Sequence, residues 1–81
     1  MKIGSVVFCV SGRDKGKYMV ILNSVDGFVF IADGKRRKIE NPKRKNMKHV
    51  KNINLTLDAS DFITNRKLRR TLGNITQVDI D

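Results

Sequence analysis

Nine lysine and arginine side chains lie within residues 35–51, where Glu40 is the one acidic residue, giving this stretch a net charge of +8. We call it the basic segment, and its cations are Lys35, Arg36, Arg37, Lys38, Lys43, Arg44, Lys45, Lys48 and Lys51. Cations at this density repel one another in the free protein, and a polyanionic ligand relieves that repulsion. The plain alternative is a solvated run that only confers solubility. The pattern favours contact with nucleic acid, and we include His49 in that predicted surface.

A second candidate site is the sequence Ser-Gly-Arg-Asp-Lys-Gly-Lys at residues 11–17, which we call the glycine loop. Its glycines permit positive φ angles and let backbone approach phosphates closely. Charged side chains then flank exposed N–H groups, so the predicted RNA-binding residues of this loop are Ser11, Gly12, Arg13, Lys15, Gly16 and Lys17. The alternative is an ordinary charged hairpin turn.

Residues that could support catalysis or bind a metal are sparse. Cys9 is the single cysteine and His49 the single histidine, and neither has a partner at metal-ligand spacing. Asp58 and Asp61 form a close carboxylate pair that fits a turn or a helix start better than acid-base chemistry. We therefore expect no enzyme activity, no metal, no cofactor and no small-molecule substrate, and we interpret Cys9 as a buried small apolar residue.

The whole chain of 81 residues has 17 Lys and Arg against 8 Asp and Glu, a net charge of +9, with 40% apolar residues. Residues 1–34 contribute only +1 of this charge, and residues 52–81 contribute none. The length predicts one domain over residues 1–81. We also expect the protein to be monomeric when free. No signal peptide or membrane span is expected, so cytoplasmic localisation is the default.

The elements that must position these cations are short strands. Apolar runs at residues 6–10, 18–22 and 28–32 are rich in side chains that suit a pleated surface, with a hairpin turn predicted at Asp26-Gly27. Residues 36–40 are predicted as a fourth strand and residues 43–49 as an exposed arm after Pro42. Alternation at Ile53, Leu55 and Leu57 predicts a fifth strand. Five short antiparallel strands indicate a small, mainly β barrel over about residues 3–58.

The end of the chain has a different pattern. Thr64 is a good N-cap, Leu68 and Leu72 stand four residues apart, and Gly73 suits a helix end. We predict one short helix over residues 65–72, with both leucines docked on the barrel. The tail from Ile75 is ambiguous between a final strand and fraying.

Aromatic side chains are interpreted mainly as core. Tyr18 and the four phenylalanines are expected in the core. Side chains alternate between the two faces of a strand, however, so some of them must lie on the face away from the core. Phe28 or Phe30 is therefore a candidate for contact with bases.

The stretch from Gly4 through the glycine loop resembles the KOW motif. The matching features are Gly4 with Val6-Val7, the Ser11-Gly12-Arg13-Asp14 loop, Gly16 at the motif's near-invariant glycine, and Val20-Ile21. The order of residues 29–50 extends the resemblance to the small KOW ribosomal proteins, a group that includes the fourteenth large-subunit protein of archaea and eukaryotes and short bacterial relatives. The resemblance covers about residues 4–57. It implies an SH3-like barrel, ribosomal RNA and the large ribosomal subunit as partners, and no catalytic activity.

Two other functions remain open from the sequence. KOW domains also occur in transcription elongation factors that contact RNA polymerase, so a protein-interaction module is the first alternative. A duplex DNA binder is the second, and it is disfavoured because the predicted helix at residues 65–72 is short for a recognition helix.

Overall fold

The computed structural model describes the backbone of residues 1–79 and the side chains of residues 1–75. Within this part of the chain, five antiparallel strands form one sheet in the order β4-β3-β2-β1-β5. The strands are β1 Ser5–Cys9, β2 Tyr18–Val25, β3 Phe28–Ala32, β4 Lys43–Asn46 and β5 Val50–Thr56. A 3₁₀-helical turn at Met47–His49 precedes β5, and a second one at Ala59–Phe62 precedes the helix α1, Asn65–Asp79. The predicted mainly β class with one C-terminal helix is confirmed.

The sheet must curl because its two edge strands are joined by one short turn. In a flat sheet, four inter-strand steps of ~4.8 Å would separate the edges by roughly 19 Å. The chain from Asn46, the last residue of β4, to Val50, the first of β5, spans at most about 14 Å. The turn Met47–His49 therefore draws the edges toward each other, and the sheet has a barrel-like curvature.

The predicted hairpin between β2 and β3 is confirmed. Asp26 and Gly27 both have positive φ, 49° and 82°, as a tight two-residue hairpin turn requires. Val25 pairs with Phe28 directly across this turn. Three residues before Val25 in β2, Leu22 is an extra residue between the pairs Ile21–Ile31 and Asn23–Phe30, which is a β-bulge.

Apolar side chains pack on both faces of the sheet. The inner cluster, inside the curve, contains Val7, Cys9, Met19, Ile21, Val29, Ile31 and Val50. The outer cluster joins Val6, Val20 and Ala32 of the sheet to Leu68 and Leu72 of α1. Neighbouring residues on a strand point to opposite faces, which is how β1 contributes to both clusters. The two leucines dock on the barrel as predicted.

Cys9 is fully buried in the inner cluster. Burial raises the pKa of its thiol above the ordinary 9.0, although the nearby Lys45 ammonium opposes this rise. The thiol is therefore protonated at neutral pH, which fits its interpretation as a small apolar residue.

The predicted strand at residues 36–40 is wrong, and a compact loop takes its place. The Asp33 carboxylate accepts hydrogen bonds from the amides of Lys35 and Arg37, each at 2.9 Å. The amides of Asp33 and Gly34 in turn donate to the Arg37 carbonyl oxygen at 2.9 and 3.0 Å. These bonds use the backbone groups that a strand would need for pairing, so the fourth strand forms after Pro42 instead.

The prediction of residues 43–49 as an exposed arm is also wrong, because β4 pairs with β3 along its length. The register places Lys43 opposite Ile31, Lys45 opposite Val29 and Asn46 opposite Phe28. Lys43, Arg44 and Lys45 thus belong to an edge strand of the sheet and have fixed directions.

Helix α1 begins where predicted. The Thr64 hydroxyl oxygen accepts a hydrogen bond from the Lys67 amide at 3.1 Å, the geometry of an N-cap. The prediction that Gly73 ends the helix is wrong, since α1 continues to Asp79 and Ile75 packs against the outer cluster. Of the ambiguous tail, residues 80 and 81 lie outside the described part of the chain. Within residues 1–79, no helix has the length and apolar character needed to cross a membrane.

Candidate nucleic-acid interface

An open depression of about 470 Å³ lies between the glycine loop and β4. We call it the basic cleft. It is lined by Ser11, Gly12, Arg13, Asp14, Arg37, Lys43, Arg44, Lys45, Asn46 and His49. Eight of these ten residues belong to the sites predicted from the sequence, and they come from both the glycine loop and the basic segment. The two stretches therefore share one surface.

Lys45 connects β4 to the glycine loop. It pairs with Val29, an inner-cluster residue, so its side chain points toward the barrel interior and is only 8% exposed. Its Nζ donates a hydrogen bond to the Ser11 carbonyl oxygen at 2.7 Å. A charged donor held at this distance makes one of the stronger hydrogen bonds available to a backbone carbonyl. Lys45 thus fixes the position of the loop relative to the strand.

Arg37 makes a second connection to the glycine loop. Its Nε and Nη2 donate to the Asp14 Oδ2 at 3.3 and 3.2 Å. Asp14 is buried, with 1% of its side chain exposed, while Arg37 retains 24%. A buried carboxylate needs a cationic partner, and Arg37 supplies it from the loop that follows β3. Three separate parts of the chain are in this way joined around the cleft.

The electrostatics of the cleft follow from these two contacts. Among the described residues that line the cleft, Asp14 is the one acidic side chain, and Arg37 neutralises it. The other Asp14 oxygen, Oδ1, is buried and has no hydrogen-bond partner among the described residues. The remaining cations Arg13, Lys43 and Arg44 are exposed along the rim, and His49 is exposed beside them. A surface of this kind attracts a polyanion and offers little to a neutral ligand.

The other predicted site residues lie outside the basic cleft. Gly16, Lys17 and Lys35 line a second depression, of about 310 Å³, together with Arg69 and Leu72 of α1. Lys48 lines a third, near the β2–β3 hairpin. Lys15, Arg36, Lys38 and Lys51 are exposed but line none of these three depressions.

Sequence reasoning missed Asp14, Asn46 and Arg69 as members of these surfaces. The signal for Asp14 was present, because a single acidic residue within a basic loop is a natural partner for a nearby arginine. Asn46 accepts a hydrogen bond from the Lys48 amide at 2.9 Å and so caps the turn Met47–His49. Its cleft position, and that of Arg69 in the second depression, depend on chain packing that no local pattern encodes.

The fold and the cleft together define a small antiparallel β protein with a cationic groove at one sheet edge. No family model matches the chain. The chain is similar to the large ribosomal subunit protein eL14 of Staphylothermus marinus, with 28% identity over 75 residues that cover 91% of this chain and 78% of that protein. This similarity supports the likeness to ribosomal proteins of the eL14 kind that the sequence motifs indicated.

Proposed function

We propose that this protein binds ribosomal RNA, as a non-enzymatic large-subunit ribosomal protein or a ribosome-associated factor in the cytoplasm. The observation that carries the proposal is the basic cleft, a single depression lined by cations of both the glycine loop and β4. The likeness to eL14 agrees with it, since that protein's name places it in the large ribosomal subunit. We also propose that residues 4–21 form a KOW motif and that the chain is a short bacterial relative of the small KOW ribosomal proteins.

The proposed contact is mainly with phosphates. Arg13 and Arg44 have planar guanidinium groups that can hold a phosphate with two hydrogen bonds, and Lys43 adds a point charge between the two segments. The amides of Lys15, Gly16 and Lys17 already donate to backbone carbonyl oxygens, so we assign the loop's backbone contact with phosphate to the exposed turn at Gly12 and Arg13. Contacts of this type read the shape of an RNA backbone and carry little direct sequence information.

Lys45 and Arg37 have a different role in this proposal. Their side chains are already held by Ser11 and Asp14, so they serve to position the rim cations. A loop that is fixed before binding loses less conformational freedom on binding, which favours affinity. The predicted site residues thus divide into ligand-facing cations and cations that hold the cleft together.

Salt titration of binding to large-subunit ribosomal RNA tests the proposal. The variant Arg13→Gln/Lys43→Gln removes two rim charges, and Arg66→Gln/Lys67→Gln removes the same kinds of charge from exposed positions of α1 that line none of the described depressions. The wild type should bind with strong salt dependence, because each phosphate contact releases counterions. The cleft variant should bind on the order of 10- to 100-fold more weakly, with a log-log salt slope reduced by about 1.4 to 1.8.

The helix variant should keep nearly the affinity and salt slope of the wild type. Equal losses in both variants would show that only total charge matters, and would remove the cleft from the proposal. Wild-type binding that is absent, or independent of salt, would overturn the proposed function itself. Sedimentation of the tagged protein in low and high salt then separates a permanent subunit component from a visiting factor, since only the former should stay with large subunits throughout.

A further inference from the structure

The outer face of the sheet is only partly covered by α1. The helix packs on the part of the sheet that contains Val20 and Ala32. Phe28 and Phe30 lie on the same face of β3 as Ala32, closer to the hairpin, and neither belongs to the two core clusters of the described residues. Both rings remain half-buried, and the neighbouring Val25 is 47% exposed. A pair of aromatic rings is thus left on an uncovered sheet surface.

Arg44 lies over this aromatic surface. It pairs with Phe30 across the β3–β4 ladder, and its guanidinium carbon is 4.7 Å from the centroid of the Phe28 ring. Diagonal neighbours on adjacent strands can make this contact when one side chain is long. A guanidinium at this distance from a ring is in cation–π contact, which orients its plane.

The resulting surface is a fourth, shallow depression that shares Arg44 with the basic cleft. It has a volume of about 220 Å³ and is lined by Val25, Asp26, Phe28, Phe30 and Arg44. Arg44 lines this depression and the basic cleft alike. A ligand that contacts both would need a flat apolar part for the rings and an anionic part for the cleft. An unpaired nucleotide has both, because its base presents a π-face and its phosphate carries the charge.

We propose that Phe28, Phe30 and Arg44 form a stacking platform for an unpaired base whose phosphate lies in the basic cleft. This inference rests on the proposed function and sharpens it, since the RNA feature recognised would be a loop or bulge. Bases inside a continuous duplex are stacked on one another and cannot reach a protein ring. Aromatic rings on a sheet surface and arginine planes are both established supports for splayed-out bases.

Binding to two RNAs of equal length tests the platform. One is a hairpin whose loop contains a fluorescent purine analogue, and the other is a fully paired duplex with the same analogue. The key variant is Arg44→Lys, which keeps the charge on an exposed residue but removes the planar group. The matched control is Arg66→Lys, the same change at an exposed arginine of α1 that lines none of the described depressions. Phe28→Leu removes the ring beneath Arg44.

The wild type should bind the hairpin more tightly than the duplex and should change the fluorescence of the loop analogue. Arg44→Lys and Phe28→Leu should each lose on the order of ten-fold in affinity for the hairpin and much less for the duplex, while Arg66→Lys should lose little for either. The salt slope should be nearly unchanged in Arg44→Lys, because the charge remains.

Unchanged hairpin affinity in both platform variants would overturn the platform. So would wild-type binding that is salt-dependent but equal for hairpin and duplex, and this result would leave the proposed phosphate contacts intact. Failure of the wild type to bind either RNA would overturn the proposed function together with the platform. Because Arg44→Lys changes only an exposed side chain, a fold defect in Phe28→Leu would not prevent the test.

Discussion

Gly34 is a point of close backbone contact between the loop after β3 and α1. Its φ is +77°, and a Cβ at this position would collide with the Asn65 carbonyl oxygen and lie 3.1 Å from the Arg69 amide nitrogen. Both atoms are backbone in the first turns of the helix, so neither can move aside like a flexible side chain. Gly34 therefore sets how closely the loop and the helix pack.

We expect Gly34→Ala to destabilise the protein by about 3 kcal/mol or more, because a backbone collision adds to the strain of a positive φ. Gly27→Ala is the matched control. Gly27 has a φ of +82° and open space around the added Cβ, so it carries the same φ strain without the collision. Its expected cost is ~1–2 kcal/mol. Urea unfolding of the two variants measures the difference, and equal losses would show that the close contact is relieved by a shift of α1.

Glu40 is held beside the start of α1. Its Oε1 accepts a hydrogen bond from the Asn65 Nδ2 at 2.7 Å, while the Asn65 Oδ1 accepts one from the Ile39 amide at 2.8 Å. The Asn65 hydrogen bond lowers the pKa of Glu40 below its ordinary 4.5, with smaller contributions from its own backbone amide and from Lys38. Asn65 thus links the loop at residues 38–41 to the helix.

The lowered pKa predicts a specific pH dependence. A carboxylate whose pKa is lower in the folded state stabilises the fold above its unfolded pKa, and that contribution is lost as the pH falls through the folded value. Wild type should therefore be more stable than Glu40→Gln at pH 7, and the difference should shrink below about pH 4.5. Urea titrations from pH 7 to pH 3 measure this. In an Asn65→Ala background the pH-dependent part should decrease, and a difference that stays constant with pH would contradict the assignment.

At the scale of elements, Lys45 connects β4 to the glycine loop, in addition to the ladder that β4 forms with β3. Lys45→Met keeps the aliphatic stem but leaves the Ser11 carbonyl oxygen without its charged donor. The expected loss of unfolding free energy is about 1–3 kcal/mol. Lys43→Met is the control, because Lys43 is an exposed residue of the same strand, and it should change stability by less than ~0.5 kcal/mol. Similar values for both variants would show that the hydrogen bond to Ser11 does not stabilise the loop.

The elements differ in how well their sequences predict them. β1, β2 and β3 were predictable because their runs of β-branched and aromatic residues suit a buried pleated surface. β4, Lys-Arg-Lys-Asn, was not, since charged residues are uncommon in strands. Lysines on an edge strand nevertheless hinder pairing with strands of other chains. Strand propensities do not include this effect.

The helix shows the same limit at its C-terminal end. Its start was predictable from Thr64, whose hydroxyl makes a local hydrogen bond. Its end was not, because Gly73 is tolerated when tertiary packing extends the helix. Ile75, two residues later, packs against the outer cluster, and that contact joins residues far apart in the chain.

At the scale of the whole molecule, the residue types of the candidate site were predictable. Which cations face the ligand and which hold the cleft together was not. Charge along the chain identified the glycine loop and the basic segment. Whether a given cation faces solvent or a partner inside the protein depends on sheet register, as Lys45 shows by its pairing with Val29. The lone acidic residue of the glycine loop indicated that Asp14 needs a cationic partner, but Arg37 lies 23 residues away in the sequence, so no local pattern shows which cation it is.

The net charge of +9 predicts opposite responses to salt for the free protein and for its RNA complex. In the free protein, repulsion among exposed cations opposes folding, and added salt screens it. We expect the unfolding free energy to rise on going from about 50 to 200 mM NaCl, by on the order of 1 kcal/mol, since exposed charges interact weakly in water. RNA affinity should fall over the same range by orders of magnitude.

The variant Arg13→Gln/Lys43→Gln separates the two effects, because it lowers the charge by two at exposed positions. With less repulsion to screen, its stability should rise less with salt than that of the wild type, and its RNA affinity should also depend less on salt. Urea unfolding and RNA titration in the same buffers give both quantities. If the free wild-type protein instead loses stability as salt is added, attractive ion pairs outweigh the repulsion, and relief of repulsion would no longer explain why the basic segment favours a polyanion.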